Sequence, residues 1–535
     1  MELGLEELVG GVAPPDLSGR IERAVRDRLA EKTAPRPPRL AAAILIAASL
    51  LVGALVLWKI LATSPSKPVP AKEQKSEPPP SPPQEPDALQ RLSDVLEREA
   101  REGDPDPALR AEAFLKVQGS PEEVSRALFK AAVCFRLQGG ELWAKKPQNL
   151  DAKAALDRAE QTLVKVLARQ GDPARSPLLL LAEFERAALL MHEANDKPAD
   201  ALQVLDQIAK GVPPEDPWIA RVWATQIQCN AQLNRLDAAV AIHDRLMERH
   251  PESRWVVRAS KTVAIKLDEA TEALIRTNGD PALIERNLRK ISKCYVTWIN
   301  LGPVHGAKIT PADLLAVAET LYSNAKRLNH LDIDLTSFSD LRGRKIEEPQ
   351  YFADAAIAHS MLADVNTLPE RDRLVVGVRR ARCLAFAARD ANGWRAARDA
   401  YRDFLTPLKL VQKSGVLDPA VLAGNPMLLG VYTDLGHVQL ELARSAAGER
   451  ASFDEASIVF SNILRMVQPG TEPWWVGKYM VLEVLLERGS ESDVKLSKVG
   501  LENLERNNPD FDAGQFGMKD RFLKLKQKIA DAMNK

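Results

Sequence analysis

The run Leu40–Trp58, LAAAILIAASLLVGALVLW, holds nineteen residues without a charge and leads at once into a proline-rich stretch. Wound as a helix it measures about 28 Å, close to the roughly 30 Å of hydrocarbon that a single span must cross. So many contiguous apolar side chains constrain the chain to a membrane-tethered layout. The run is preceded by 39 residues and ends on Trp58 where a cleavage site would want a small residue. It also exceeds the apolar core of about 7–15 residues found in cleaved leaders. An uncleaved signal anchor over 40–62 is therefore expected in place of a signal peptide.

Orientation follows from the basic residues beside the span. Seven stand in the twenty residues before it (Arg20, Arg23, Arg26, Arg28, Lys32, Arg36, Arg39) and four in the twenty after it (Lys59, Lys67, Lys72, Lys75). The positive-inside rule then puts the N-terminus in the cytoplasm and the long remainder on the other side, in a bacterium the periplasm. Residues 1–39 are expected to form a cytoplasmic tail. Within it Ile21, Val25 and Leu29 make one stripe of a short amphipathic helix over Arg20–Lys32, with Ser18 at its N-cap. Residues 63–86 carry nine prolines and no large apolar residue after Val69, so they are expected to be a disordered linker. In polyproline II geometry, about 3.1 Å per residue, it reaches roughly 70 Å as a semi-rigid spacer.

The remaining stretch, 87–535, is nearly neutral. The first 86 residues hold eleven of the 73 bases and ten of the 73 acids, which leaves 62 against 63 and no net field to attract nucleic acid. Cys134, Cys229, Cys294 and Cys383 lie far apart with no CxxC pair, so a zinc site and a disulfide scaffold are both disfavoured and buried small apolar residues are expected. Apolar residues recur at three and four, as in Leu92, Val95, Leu96 and in Ala127, Leu128, Ala131, Ala132, Phe135, whereas strict alternation is nearly absent. The spacing predicts an all-α domain. Even the β-branched and aromatic stretch Cys294–Leu301 continues a helical period and is expected to end a helix.

Between Trp218 and Pro251, Trp223 opens one helix, Leu236, Ala239, His243 and Leu246 mark a second, and Pro251 closes the pair. Leu189, Ala201, Leu205, Ile208 and Pro213 repeat the arrangement upstream. Downstream, Trp394, Ala397, Tyr401 and Phe404 make a second helix. Tyr432, Leu435 and Gly436 open another pair that Phe453, Ala456 and Phe460 complete after an insertion near Ala446–Arg450. A last unit runs from Trp475 to Pro509, with Met518–Met533 as a polar cap. This pattern resembles the tetratricopeptide repeat, in which a bulky residue opens the first helix, a small residue sits at the close crossing, and a proline ends the unit. Two departures stand out: Ile227 holds the small position of its first helix, and Gln439 stands where Tyr432–Gly436 call for an aromatic. The resemblance is weak from about 255 to 375. It implies an α-solenoid of antiparallel helix pairs, in which each pair buries its apolar face against the next.

No P-loop, GxSxG elbow, HExxH motif or glycine-rich strand-to-helix turn is present, so no enzyme activity, metal or cofactor is expected. Asp332–Thr336 begins like a calcium loop, but Ser337 and Gly343 occupy the positions that need the turn glycine and the bidentate glutamate. His243 and His250 lack a third ligand at metal spacing. The resemblance implies binding in a concave groove lined by first helices. Two sets of residues are candidates for it. Arg379, Arg382 and Arg389 make a basic stripe suited to an acidic peptide or a free C-terminus; Arg221, Gln228 and Gln232 make a second face. The leading reading is a membrane-anchored scaffold with protein partners; the alternative is a transmembrane signalling protein with the solenoid as sensor and the tail as output.

Overall fold

In a computed structural model the described residues are 88–169, 176–331, 346–363, 365, 368–406, 426–511 and 515–534. The predicted tail, anchor and linker, and the calcium-like loop at 332–343, lie outside them. Among the described residues there are nineteen α-helices, one short 3-10 turn and no strand, and no helix is long and apolar enough to cross a membrane.

The helices are α1 (Ala88–Arg101), α2 (Pro107–Leu115), α3 (Pro121–Lys145), α4 (Leu150–Arg169), α5 (Pro177–Leu190), α6 (Pro198–Gly211) and α7 (Ile219–Gln232). They continue with α8 (Leu236–Arg249), α9 (Arg254–Arg276), α10 (Pro281–Val304), α11 (Pro311–Leu328), α12 (Pro349–Ala363) and α13 (Glu370–Ala387). The last six are α14 (Ala391–Leu405), α15 (Pro426–Ser445), α16 (Ala451–Met466), α17 (Glu472–Arg488), α18 (Glu491–Asn507) and α19 (Met518–Met533). Cys294–Leu301 lies inside α10, as its period predicts.

Prolines start these helices and end the pairs. Eight helices open on proline, where a missing N–H costs nothing and φ is already set. Ser120 with Glu123, and Thr310 with Asp313, close capping boxes at the heads of α3 and α11. Pro213, Pro251 and Pro509 each stand two residues past the end of a second helix, α6, α8 and α18. Proline there cannot continue the helix, so the chain turns back.

From α3 onward consecutive helices pack together, and first helices also touch the first helices of neighbouring pairs, as α3 does α5, α7 does α9, α13 does α15, and α17 does α19. This is an α-solenoid of antiparallel pairs. The repeat residues fill it as their types require: Trp223, Ala201, Ala239, Ala397, Tyr432 and Ala456 are all buried. Ile227 is fully enclosed too. Gln439 is buried between the enclosed Val438 and Leu440, on a helix, α15, that is buried almost all round. The irregular stretch has a physical cause. Helices α5 to α8 are 14 residues each, whereas α9 and α10 have 23 and 24, so the repeat length changes there.

The core divides into two clusters that meet on α13: Val376, Cys383 and Phe386 belong to one, Val378, Ala381 and Ala385 to the other. One close helix approach is at Gly436, where a Cβ would come within 2.8 Å of both Phe460 Cζ and Val459 Cγ1 of α16. Overfilling a packed contact of this kind costs about 1–3 kcal/mol. Gly436→Val is expected to lower stability by that amount in chemical denaturation, and an unchanged midpoint would show that α15 and α16 are not in close contact.

Candidate protein-binding groove

Helix α1 is not part of the pair series; it lies across the first helices. A stripe of Leu89, Ser93, Leu96 and Ala100, spaced four, three and four, turns inward. Its C-terminal turn rests on α3, where Cys134 Sγ donates to the Ala100 carbonyl at 3.1 Å and Lys130 pairs with Glu99 at 3.1 Å. Its middle is held by Arg221 of α7, which donates to Ser93 Oγ at 2.9 Å and lies 3.5 Å from the carboxylates of both Glu97 and Glu185. The same guanidinium sits 4.4 Å over the Phe184 ring and 5.3 Å over the Trp255 ring. Between Ser93 and Glu97, Asp94 is 3.9 Å from Arg254 of α9. Helix α1 therefore runs against the order of the repeats, touching α7 and α9 at its middle and α3 at its end.

A groove of about 530 Å³ opens beside the middle of α1, walled by Asp94, Glu97, α7, α9, the end of α10 and the loop that follows. That volume lies within the range of roughly 300–1,000 Å³ typical of binding pockets. Five cations line it, Arg221, Arg254, Arg258, Lys261 and Lys308, against two carboxylates. Two tryptophans are part of the lining. Trp298 is almost fully buried with Lys261 Nζ 4.2 Å over its ring, and Trp255 carries Arg254 at 4.9 Å. Lys261 is also paired with Asp313 at 3.2 Å. Arg258 and Lys308 have no carboxylate partner among the described residues. The packed protein around Arg258, and then the Arg221 cation, draw its pKa below the usual guanidinium value. A second, larger cavity of about 790 Å³ lies along the second helices α8, α10 and α12, but most of its cations are already matched, Arg286 to Asp237 and Lys290 to Asp244.

Of the second predicted face, Arg221 lines the groove but directs its donors inward to hold α1. Gln228 accepts from Arg258 at 2.7 Å, which fixes the Arg258 head at the rim. Gln232 is exposed on the last turn of α7, outside the groove lining. The groove's two tryptophans went unnoticed in the sequence because they fall in the stretch where the repeat pattern fades.

The predicted basic stripe on α13 is overturned. Arg382 is wholly buried, and its Nε donates to Asp434 Oδ2 at 2.9 Å, an oxygen that also accepts from Tyr401 at 3.3 Å. Arg379 pairs with Glu319 and lies 5.0 Å over the Tyr322 ring. Arg389 donates to the carbonyls of Ala388 at 2.7 Å and Phe386 at 3.2 Å, closing the C-terminus of its own helix. The three share a spacing but not a surface, because the neighbouring carboxylates sit on other helices that the sequence does not bring into view. Burial pushes the Asp434 carboxyl up from its ordinary range, and the Arg382 guanidinium opposes that shift.

The remaining reactive residues are structural. All four cysteines are buried and unpaired by disulfides, and burial raises the thiols of Cys229 and Cys294 to about 12, which keeps them protonated. His243 is enclosed, 2.9 Å from Ser260 Oγ; burial and then Lys290 lower its pKa to about 3. His250 bonds the Pro214 carbonyl at 2.9 Å. Among the described residues no group of three metal-ligating side chains converges.

No family model and no curated protein matches this chain. Among solved structures it is similar to the TPR domain of P58(IPK), at 13% identity over 74% of this chain and 99% of that one, with a TM-score of 0.19. It is also similar to a circular tandem repeat protein with novel repeat topology, at 15% identity over 83% and 89% and a TM-score of 0.17. A third, the structure of Naa15/Naa10 bound to HypK-THB, is 13% identical over 83% and 90% with a TM-score of 0.16. Scores this low leave the fold resting on the helix pairing itself.

The buried pair makes a direct prediction. Arg382→Met strands a buried carboxylate and is expected to cost about 3–5 kcal/mol, whereas Arg382→Met with Asp434→Leu recovers most of the loss. Equal denaturation midpoints for wild type and the single variant would contradict the internal pairing.

Proposed function

We propose that this chain is a non-enzymatic scaffold of the tetratricopeptide type, which binds acidic segments of partner proteins in the groove beside α1. The carrying observation is the groove's composition: five cations against two carboxylates, arranged around Trp255 and Trp298. Partly desolvated cations next to aromatic faces favour a peptide with carboxylates and apolar side chains over a uniformly charged polymer. The near-neutral charge of the domain as a whole, 62 bases to 63 acids, restricts that attraction to the groove.

The uncharged run Leu40–Trp58 supports a membrane anchor, and the flanking basic residues support a cytoplasmic tail with the solenoid outside, at the bacterial inner membrane on its periplasmic side. In that layout the linker sets the groove's distance from the bilayer.

Proximity labelling in the native envelope, with the label at the C-terminus of the full chain, tests both parts. Wild type is expected to label a defined set of extracytoplasmic proteins, and Arg258→Glu with Lys308→Glu to lower that labelling about tenfold or more, about 1.4 kcal/mol, with a salt-sensitive residue. Labelling of cytoplasmic proteins would overturn the topology. An unchanged partner set in the double variant would overturn the groove.

A further inference from the structure

We propose that the groove is occupied by this chain's own residues 77–87, EPPPSPPQEPD, which a partner must displace. The proposal rests on the groove being a binding site, the reading given above, but not on the existence of an outside partner. Three observations converge on it. The first is position. Asp94 and Glu97 of α1 are groove wall, and Ala88 is six residues before Asp94, roughly 9 Å along the helix. The middle of α1 touches α7 and α9 and its end touches α3, so its first turn points away from α3, and the segment before it has only that short distance to cover to the groove wall.

The second observation is charge. Residues 77–87 carry Glu77, Glu85 and Asp87 and no base, three negative charges for a groove whose lining keeps two cations unmatched by a carboxylate among the described residues. Arg258 and Lys308, the two lining cations with no carboxylate partner among the described residues, supply the sites. The third is stiffness. Six of the eleven residues are proline, and a proline-rich segment, already extended, loses less conformational freedom on docking than a flexible one. Tethering then makes a weak contact sufficient. A short linker holds its segment at an effective concentration of the order of millimolar, so an intrinsic Kd near that value already fills the groove about half the time.

The same geometry bears on the spacer. A linker whose last ten residues are bound on the domain reaches less far from the membrane than a fully extended one, and displacement by a partner releases that length.

The test uses the full chain in detergent micelles, with a photocrosslinking amino acid at Gln84 and mass spectrometry of the monomer band. Crosslinks are expected on the peptides carrying Trp255, Trp298 or Lys308. Their yield is expected to fall about fivefold in Arg258→Glu with Lys308→Glu, and to recover when Glu85→Lys and Asp87→Lys are added. Both cations are exposed, so unchanged helical circular dichroism is expected to accompany the loss. Crosslinks concentrated away from the groove would overturn the proposal, as would groove crosslinks indifferent to the charge swap, or crosslinks found only between isotopically distinct copies. If the linker misses the groove while partner labelling still depends on Arg258 and Lys308, self-docking fails and the scaffold stands. If the linker occupies the groove and no partner depends on it, the scaffold reading fails and self-docking stands.

Discussion

Arg221 is the contact on which the arrangement of the site depends. One guanidinium, about nine-tenths buried, ties Ser93 and Glu97 of α1 to Glu185 of α5 and stacks on Phe184 and Trp255, so four helices meet at a single planar head. Arginine suits this position because its fork can serve several acceptors at once while its faces lie against rings. Lysine, a point charge with no plane, could not do both. Without that pin, α1 would keep its apolar stripe against α3 and α5 but lose the polar fastening of its middle. Because Asp94 and Glu97 are groove wall, the groove inherits its shape from this one fastening.

The structure uses its other arginines in two contrasting ways. On α13 and α14 they are matched helix to helix, as in Arg382 with Asp434, Arg395 with Glu449 and Arg402 with Glu455. The first of these lies at the seam where the two core clusters meet, where separating the partners would leave an uncompensated charge inside the protein. At the groove the matching is incomplete. A cation not given a carboxylate keeps part of its attraction for a ligand, and this separates Arg258 and Lys308 from the many basic residues whose charge is already neutralised.

Much of the fold was legible in the sequence. Three-and-four spacing gave the helices, the alanines and Gly436 gave the close crossings, and Pro213, Pro251 and Pro509 gave the ends of the second helices, because each of these is a local property of the chain. The site was less legible, since availability of a charge is a tertiary fact. Arg379, Arg382 and Arg389 have the same spacing whether they face solvent or Glu319, Asp434 and their own helix end. Arg221 was found for a sound reason, its place on a first helix, yet its role is to hold α1. Nor does any periodicity announce that α1 crosses the stack, or that Trp255 and Trp298 line one groove. The one available signal was two tryptophans near unpaired basic residues where the repeat breaks down.

Hydrogen exchange on α1 tests the central claim, that this helix is fastened across the first helices and so builds the groove. The amides of residues 92–101 are expected to be protected in the full chain, and in Arg221→Met to exchange about tenfold faster or more while α17–α19 remain unchanged. Rapid exchange of these amides in wild type, or equal protection in the two proteins, would contradict it.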